Sequence, residues 1–535
     1  MIIKLLATLV LSTSTLAQHP LDFVPDDAIA VISIQDGDVL HSILETIKEQ
    51  SGTETLDENI LDLYLGQYFV DPSAIDLSFP TLVIIEPTTR AKGQRPLGMF
   101  GATPHLVIIC KGKEGRELEV TRKSGLKTTA TVDGWFIASG ADQWTPRNST
   151  NPSPILARLP DSQIGATVNF SVLWKQFGPV AQILGGLGIG SMTRPGPDGV
   201  ISDETKKAVA SASKGFTEFT SWCAKVQNIS VGIDFESYTI VAEIDVKMTE
   251  PTTLSIDNDS MVEMSSLLSD TMFQYAMSEK LLRKLIHLNL DSIAGLGSFL
   301  PSEPSSFLTA SSKILTSSTG DNVGTYSLNA QNGITISSLA DVKNQDQYFI
   351  YLPETIEEIA ESLLDEYYMT LRPSDTPNTW NISMNGTPAD LEVMHALFPK
   401  GDQLRFGKQG EQRIAMAMGP RTWRALQQSH STPLSQVLQK HAKNIDIDFA
   451  MSFDARSLFA GLIHVVIIAG QADDINVASS PSAKSTLMFG TTQHGTYIEI
   501  TSDLYGLATL IAEMDKEKEK SRQKRIEQTE AQKQS

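Results

Sequence analysis

The chain has 535 residues, 41% hydrophobic and 20% charged, which suits a globular protein of about two to four domains rather than one compact core. Its 63 acidic residues outnumber 43 basic ones, a net charge of −20, and such a surface repels phosphate backbones, which excludes nucleic acid as a general partner. With only Cys110 and Cys223, a disulfide-dense scaffold is also excluded; the pair forms either one bridge or two buried thiols.

Residues 1–17 have the layout of a signal peptide. Lys4 precedes an apolar run, and Thr15-Leu16-Ala17 supplies a small-residue cleavage pattern, so the mature chain is expected to begin at Gln18 and to be periplasmic or secreted. The apolar run is short for a membrane span. The next most apolar stretch, Leu458 to Gly470, reads as a core helix, so no transmembrane segment is expected in the mature chain.

After the leader, Ala28 to Ile34 alternates like a strand, and Val39, Ile43, Leu44 and Ile47 recur at helical spacing. Leu61 to Phe69 reads as a second helix. Thr81 to Ile85 and His105 to Cys110 are apolar, β-rich runs expected in a core sheet. A short helix near Glu114 to Thr121 and strands near Leu126 to Thr131 and Trp135 to Ser139 follow.

The next stretch, Ala138 to Leu159, has an echo at Ala417 to Leu438. The two align without a gap, and five of 22 positions are identical: Ala138/Ala417, Gly140/Gly419, Trp144/Trp423, Pro154/Pro433 and Leu159/Leu438. In each copy an apolar run ends at a Gly that lets the backbone turn, and a Trp four residues on anchors the next segment. Ser153-Pro154 and Thr432-Pro433 then read as an N-cap followed by Pro at the first helical position. Gly140, Trp144, Pro154, Gly419, Trp423 and Pro433 are therefore expected to be structural anchors.

The echo extends outward. Ala166 to Gly178 resembles Phe449 to Gly461, each a strand running into an apolar helix. Ile229 to Phe235 with Tyr238 to Val246, and Thr486 to Thr491 with Tyr497 to Thr501, read as closing hairpins. The expected fold is α+β, two tandem copies of a mainly antiparallel sheet backed by helices. The divisions are 18–255 and 256–512, with the Asp/Ser-rich link Thr253 to Ser260 at the seam and a charged tail, helical or disordered, at 513–535. Residues from about Phe23 to Val246 are expected to superpose on those from about Met261 to Thr501. Thr271 to Met277 and Glu279 to Leu288 echo the opening strand and helix.

One insertion breaks the symmetry. Gly185 to Gly190 reads as helix termination and a mobile loop, and it leads to an inserted helix, 203–223, capped by Ser202. Val209, Ala212, Phe216, Phe219 and Cys223 share one face, which is expected to dock on the first half, either as a static lid completing the core or as a moving cover over an apolar pocket with Phe216 and Phe219 as ligand-lid residues.

No HExxH, CxxC pair, GxxxxGK[ST] or GxSxG occurs, and the histidines show no triad-like spacing. No catalytic, cofactor-binding or metal-binding residue is assigned. Asp446 and Asp448 share one side of a strand, read as a charged, solvent-facing edge, and the Asp257-Asn258-Asp259 run reads as an exposed linker. The opening VPDDAIAVISI, the Gly/Trp junctions and the tandem layout resemble uncharacterised exported proteins of bacteria, planctomycete-type. That resemblance implies a tandem α+β architecture and brings no site residues.

The function expected is that of a non-catalytic exported protein with a binding or envelope-structural role, without cofactor, toward a protein partner or an apolar ligand. Two alternatives stand beside it: a carrier holding an apolar ligand between sheet and helices, and a hydrolase whose site is assembled only in space.

Overall fold

The structure, a computed structural model, describes residues 19–53, 60–87, 104–141, 153–191, 203–269, 271–287, 320–329, 333–359, 369–384, 397, 403–419, 422–468 and 482–534. The expected leader, residues 1–17, and Trp144 and Ser202 lie outside them.

The chain is α+β, and its described strands pair into one large antiparallel sheet. In the first half they are β1 (Ala30–Ile34), β2 (Thr81–Glu86), β3 (His105–Cys110), β4 (Thr128–Val132), β5 (Trp135–Ser139), β6 (Ile164–Val168), β7 (Val226–Glu236) and β8 (Thr239–Met248). The second half supplies β9 (Phe273–Met277), β10 (Asn322–Asn329), β11 (Gly333–Asp341), β12 (Met369–Pro373) and β13 (Thr379–Met384). It continues with β14 (Gln403–Gln409), β15 (Arg413–Met418), β16 (Asp446–Asp454), β17 (Lys484–Thr492) and β18 (Gly495–Asp503).

Followed from pair to pair, the first half runs β4-β5-β3-β2-β1-β6-β7-β8. The second runs β12-β13-β14-β15-β11-β10-β9-β16-β17-β18. The halves meet through β8 and β18, which pair from Lys247↔Gly495 to Thr239↔Asp503.

Around β2 and β3 the sheet is covered on both faces, which is why these strands are continuous apolar runs, whereas β9 and β16 alternate between buried and partly exposed residues. In β3, Val107 and Ile109 join a core with Phe23, Trp135 and Ile155, while Ile108 and Cys110 join another with Leu65, Phe69 and Ala138. Helices α1 (Gly37–Ser51) and α2 (Ile60–Leu65) belong to the first half. The Asp36 carboxylate accepts from the Val39 amide at 3.0 Å to start α1, and Gly52, at φ +68°, ends it. The expected helix near Glu114 to Thr121 is absent. That segment instead makes bridges from Gly112 to Ile75 and from Val120 to Phe69, which tie down the loop.

The repeated stretch folds differently in its two occurrences. Thr432 and Ser435 form a reciprocal capping box with Pro433 at the start of a helix, Pro433–His441. Ser153 instead donates its hydroxyl to the Pro25 carbonyl at 2.7 Å, and only a single 3-10 turn, Leu156–Arg158, follows exposed Pro154. Gly419 takes φ +96°, and Trp423 packs against the second-half core with Arg405 4.3 Å above its ring. Gly140 donates its amide to the Leu106 carbonyl.

The glycine-rich run is not a loop. It lies inside α3 (Phe170–Ser191), and α4 (Asp203–Lys225) packs on it, with Phe216 seated where a side chain at Gly185 would stand. The inserted helix docks only in part. Cys223 is 2% exposed and Phe216 half-buried, but Phe219 is 54% exposed. Both cysteines are free and buried.

In the second half, α5 (Asp259–Ser265), α6 (Glu279–His287), α7 (Gln345–Ile359), α8 (Thr422–Ala425), α9 (Pro433–His441), α10 (Ala455–Ile468) and α11 (Leu504–Gln534) follow. Met261, Met264, Leu434 and Leu438 from α5 and α9 cap the sheet's apolar centre. Helix α10 is less buried than its composition suggests, since Leu458 and Leu462 are exposed. The charged tail is the outer part of α11. Asn258 is no exposed linker residue. Its amide donates to the Ala442 and Ile445 carbonyls and accepts from the Ile447 amide, with the residue 3% exposed.

Candidate functional site

Six strand neighbours, β16-β9-β10-β11-β15-β14, bring the same end of the sheet together, and their terminal residues form a cleft of about 1280 Å³. Ser278 and Glu279 come from the start of α6, Asp321 from the entry to β10, and Asp341 to Lys343 from the exit of β11. The β14–β15 turn adds Gln409 to Arg413, and β16 adds Asp446. The link residues Thr253 to Ser260 form the remaining wall.

Arg413 organises one side. Its Nε donates to Asp341 Oδ1 at 3.1 Å, and Nη2 donates to Glu263 Oε2 at 2.8 Å and to Ser260 Oγ at 3.4 Å. The Ser260 hydroxyl donates in turn to Asp341. These bonds raise the Arg413 pKa further and hold Glu263 below the usual carboxylate range. Across the cleft, Lys280 bridges Asp446 at 3.1 Å and Asp448 at 3.6 Å. Asp448 is 4% exposed, and Thr491 donates to it at 3.0 Å. The two aspartates therefore occupy an interior strand with a bulge after Ile447, not a charged sheet edge.

Asp321 is different. Its carboxylate accepts from the Glu279 amide at 3.0 Å, yet burial, with the charges of Asp341, Asp257 and Glu279, pushes its pKa up to about 6. A carboxyl crowded by other acids is stabilised by a cation placed directly against it, in a cleft whose lining also holds Lys280, Lys284, Lys343 and Arg413. In the lining of the same cleft, Gln409 donates to the Leu426 carbonyl and keeps a buried Oε1 acceptor unused.

A second cluster lies at the seam. Glu499 and Glu243 are directly opposed across β18 and β8. Glu499, 2% exposed, accepts from Lys440 Nζ at 2.6 Å, His441 Nε2 at 2.9 Å and the Tyr497 hydroxyl at 3.3 Å. Burial works to raise its pKa, but the bonds from His441 and Lys440 prevail and bring it down to about 2. Burial, Glu243 and Glu499 together raise Tyr497. The cluster ties α9 to the seam strands.

Of the residues singled out by sequence, Gly140, Pro154, Gly419, Trp423 and Pro433 lie away from the cleft, as do Phe216 and Phe219; Asp257 and Asp446 line it. Sequence reasoning missed Asp321, Asp341 and Arg413, which come from three separate strand ends and carry no local motif. Among the described residues, no His, Cys, Asp or Glu group is arranged to hold a metal, and no helix is long and apolar enough to cross a membrane. Neither a protein-family model nor a curated protein sequence matches the chain.

Proposed function

We propose that the protein is a non-catalytic, exported binding protein built from two copies of one α+β unit, and that the second copy holds a polar, ammonium-bearing ligand in its cleft. The copy reading is supported by strand order. Counted from the outer side to the seam, β4-β5-β3-β2-β1-β6-β7-β8 has the same pattern as β14-β15-β11-β10-β9-β16-β17-β18, with β12 and β13 an addition in the second half. Export rests on the tripartite sequence at residues 1–17.

The observation that carries the binding reading is Asp321. The fold keeps this acid among Asp257, Glu279 and Asp341, where ionisation costs stability, and an ammonium group would relieve that cost. Calorimetric titration with spermidine tests it. Wild-type protein is expected to bind, and Asp321→Asn to bind about tenfold more weakly, as expected for a desolvated charge–charge contact. Affinity should also fall about tenfold from pH ~7.5 to pH ~5, as Asp321 takes up its proton. Equal affinity in the variant, or tighter binding at the lower pH, would remove the reading.

A further inference from the structure

The hairpin of α3 and α4 carries a small net positive charge. Residues 170–225 carry six Lys and Arg against four Asp and Glu, in a chain whose net charge is −20. Lys175, Lys206, Lys214 and Lys225 are exposed on it.

Its outer surface is also apolar. Ile183, Leu184 and Leu187 on α3 are 56, 49 and 66% exposed, and Phe219 and Trp222 on α4 are 54 and 40% exposed. All five lie within about two helical turns of the crossing where Phe216 meets Gly185. Phe219 and Trp222 stack with ring centroids 6.4 Å apart, so the aromatic pair is ordered without being covered. Gly186, Gly188 and Gly190 have open space where a side chain would be, although glycine weakens a helix in water.

Exposed aliphatic side chains and a Trp, with exposed Lys side chains on the same two helices, match the composition of a helix lying in a membrane interface. The rest of the chain is acidic overall and is repelled by anionic headgroups, which favours an orientation with the net-positive, apolar hairpin toward them. We infer that the α3–α4 hairpin docks the protein on an anionic lipid surface, seating Leu187, Phe219 and Trp222 at the headgroup boundary without crossing it. This is a surface role and not the lid expected from the sequence. It does not depend on what the cleft binds.

Vesicle flotation of the full chain tests the inference. The wild type is expected to float with phosphatidylglycerol/phosphatidylethanolamine vesicles at low salt, to float less at high salt, and to float little with phosphatidylcholine. Leu187→Glu combined with Phe219→Glu, both at exposed positions and checked by an unchanged melting curve, should reduce partitioning at least about tenfold. Vesicles should shift the tryptophan emission to the blue, and Trp222→Phe should remove that shift. Failure to float, equal flotation of the double variant, or equal binding to neutral vesicles would each overturn the inference. So would self-association that the double variant abolishes while vesicle binding is absent, which would mark the hairpin as an interface between copies.

Discussion

Replacing Glu499 by Gln tests whether the seam is held electrostatically. The change keeps the side chain's shape and removes the charge that accepts from Lys440, His441 and Tyr497. A carboxyl whose pKa falls from 4.5 to about 2 on folding contributes about 3 kcal/mol at ~1.36 kcal/mol per unit. Because Lys440 is half exposed and screened, about 2 kcal/mol is the expected loss at neutral pH. The sign follows from the depressed pKa: the contribution is complete above the unfolded-state value near 4.5 and is lost as pH falls toward 2. Urea unfolding of both proteins across that range is the assay. The stability gap should be widest at pH ~7 and should close progressively below pH ~4.5. A gap under about 0.5 kcal/mol at neutral pH, or one that widens on acidification, would refute the reasoning.

Asp321→Asn should act in the opposite direction. Its raised pKa means that ionisation above about 6 costs folded-state stability, so the variant should be about 1–2 kcal/mol more stable at pH ~7.5 and lose that advantage below pH ~4 in the same urea assay. Asn258→Ala removes a buried group that bonds to Ala442, Ile445 and Ile447, and should cost at least about 3 kcal/mol by thermal or urea unfolding. The repeated glycines should separate. Gly419→Ala, at φ +96° with Thr335 Cγ2 at 2.8 Å, should cost about 2 kcal/mol, whereas Gly140→Ala meets only ordinary contacts and should cost under about 0.5 kcal/mol.

Much of the sheet was legible because its strands are locally patterned. Thr81 to Ile85, His105 to Cys110, Trp135 to Ser139 and the two closing hairpins were found within a few residues of their bounds. The Thr432-Pro433 cap was readable because capping is a four-residue event. Gly185 to Gly190 misled, since glycine ordinarily ends a helix; here Gly185 makes room for Phe216 from a helix about thirty residues away. Asp448 misled for a similar reason. An alternating carboxylate looks solvent-facing until Lys280 from α6 and Thr491 from β17 are brought to it. Ser153 had the chemistry of a cap but found the Pro25 carbonyl first. The cleft was illegible altogether. Asp321, Asp341 and Arg413 are ordinary polar residues at strand ends, and only the order β16-β9-β10-β11-β15-β14 makes them neighbours.

A protein of net charge −20 attracts polyamines over much of its surface, so binding alone does not locate the ligand. The most direct measurement is therefore a crystal structure with spermidine at a concentration set by the titration. An ammonium nitrogen is expected within about 3.5 Å of the Asp321 carboxylate, with Asp257 or Asp341 facing the same charge. A cleft left without spermidine, while the ligand sits on acidic patches elsewhere, would contradict that expectation.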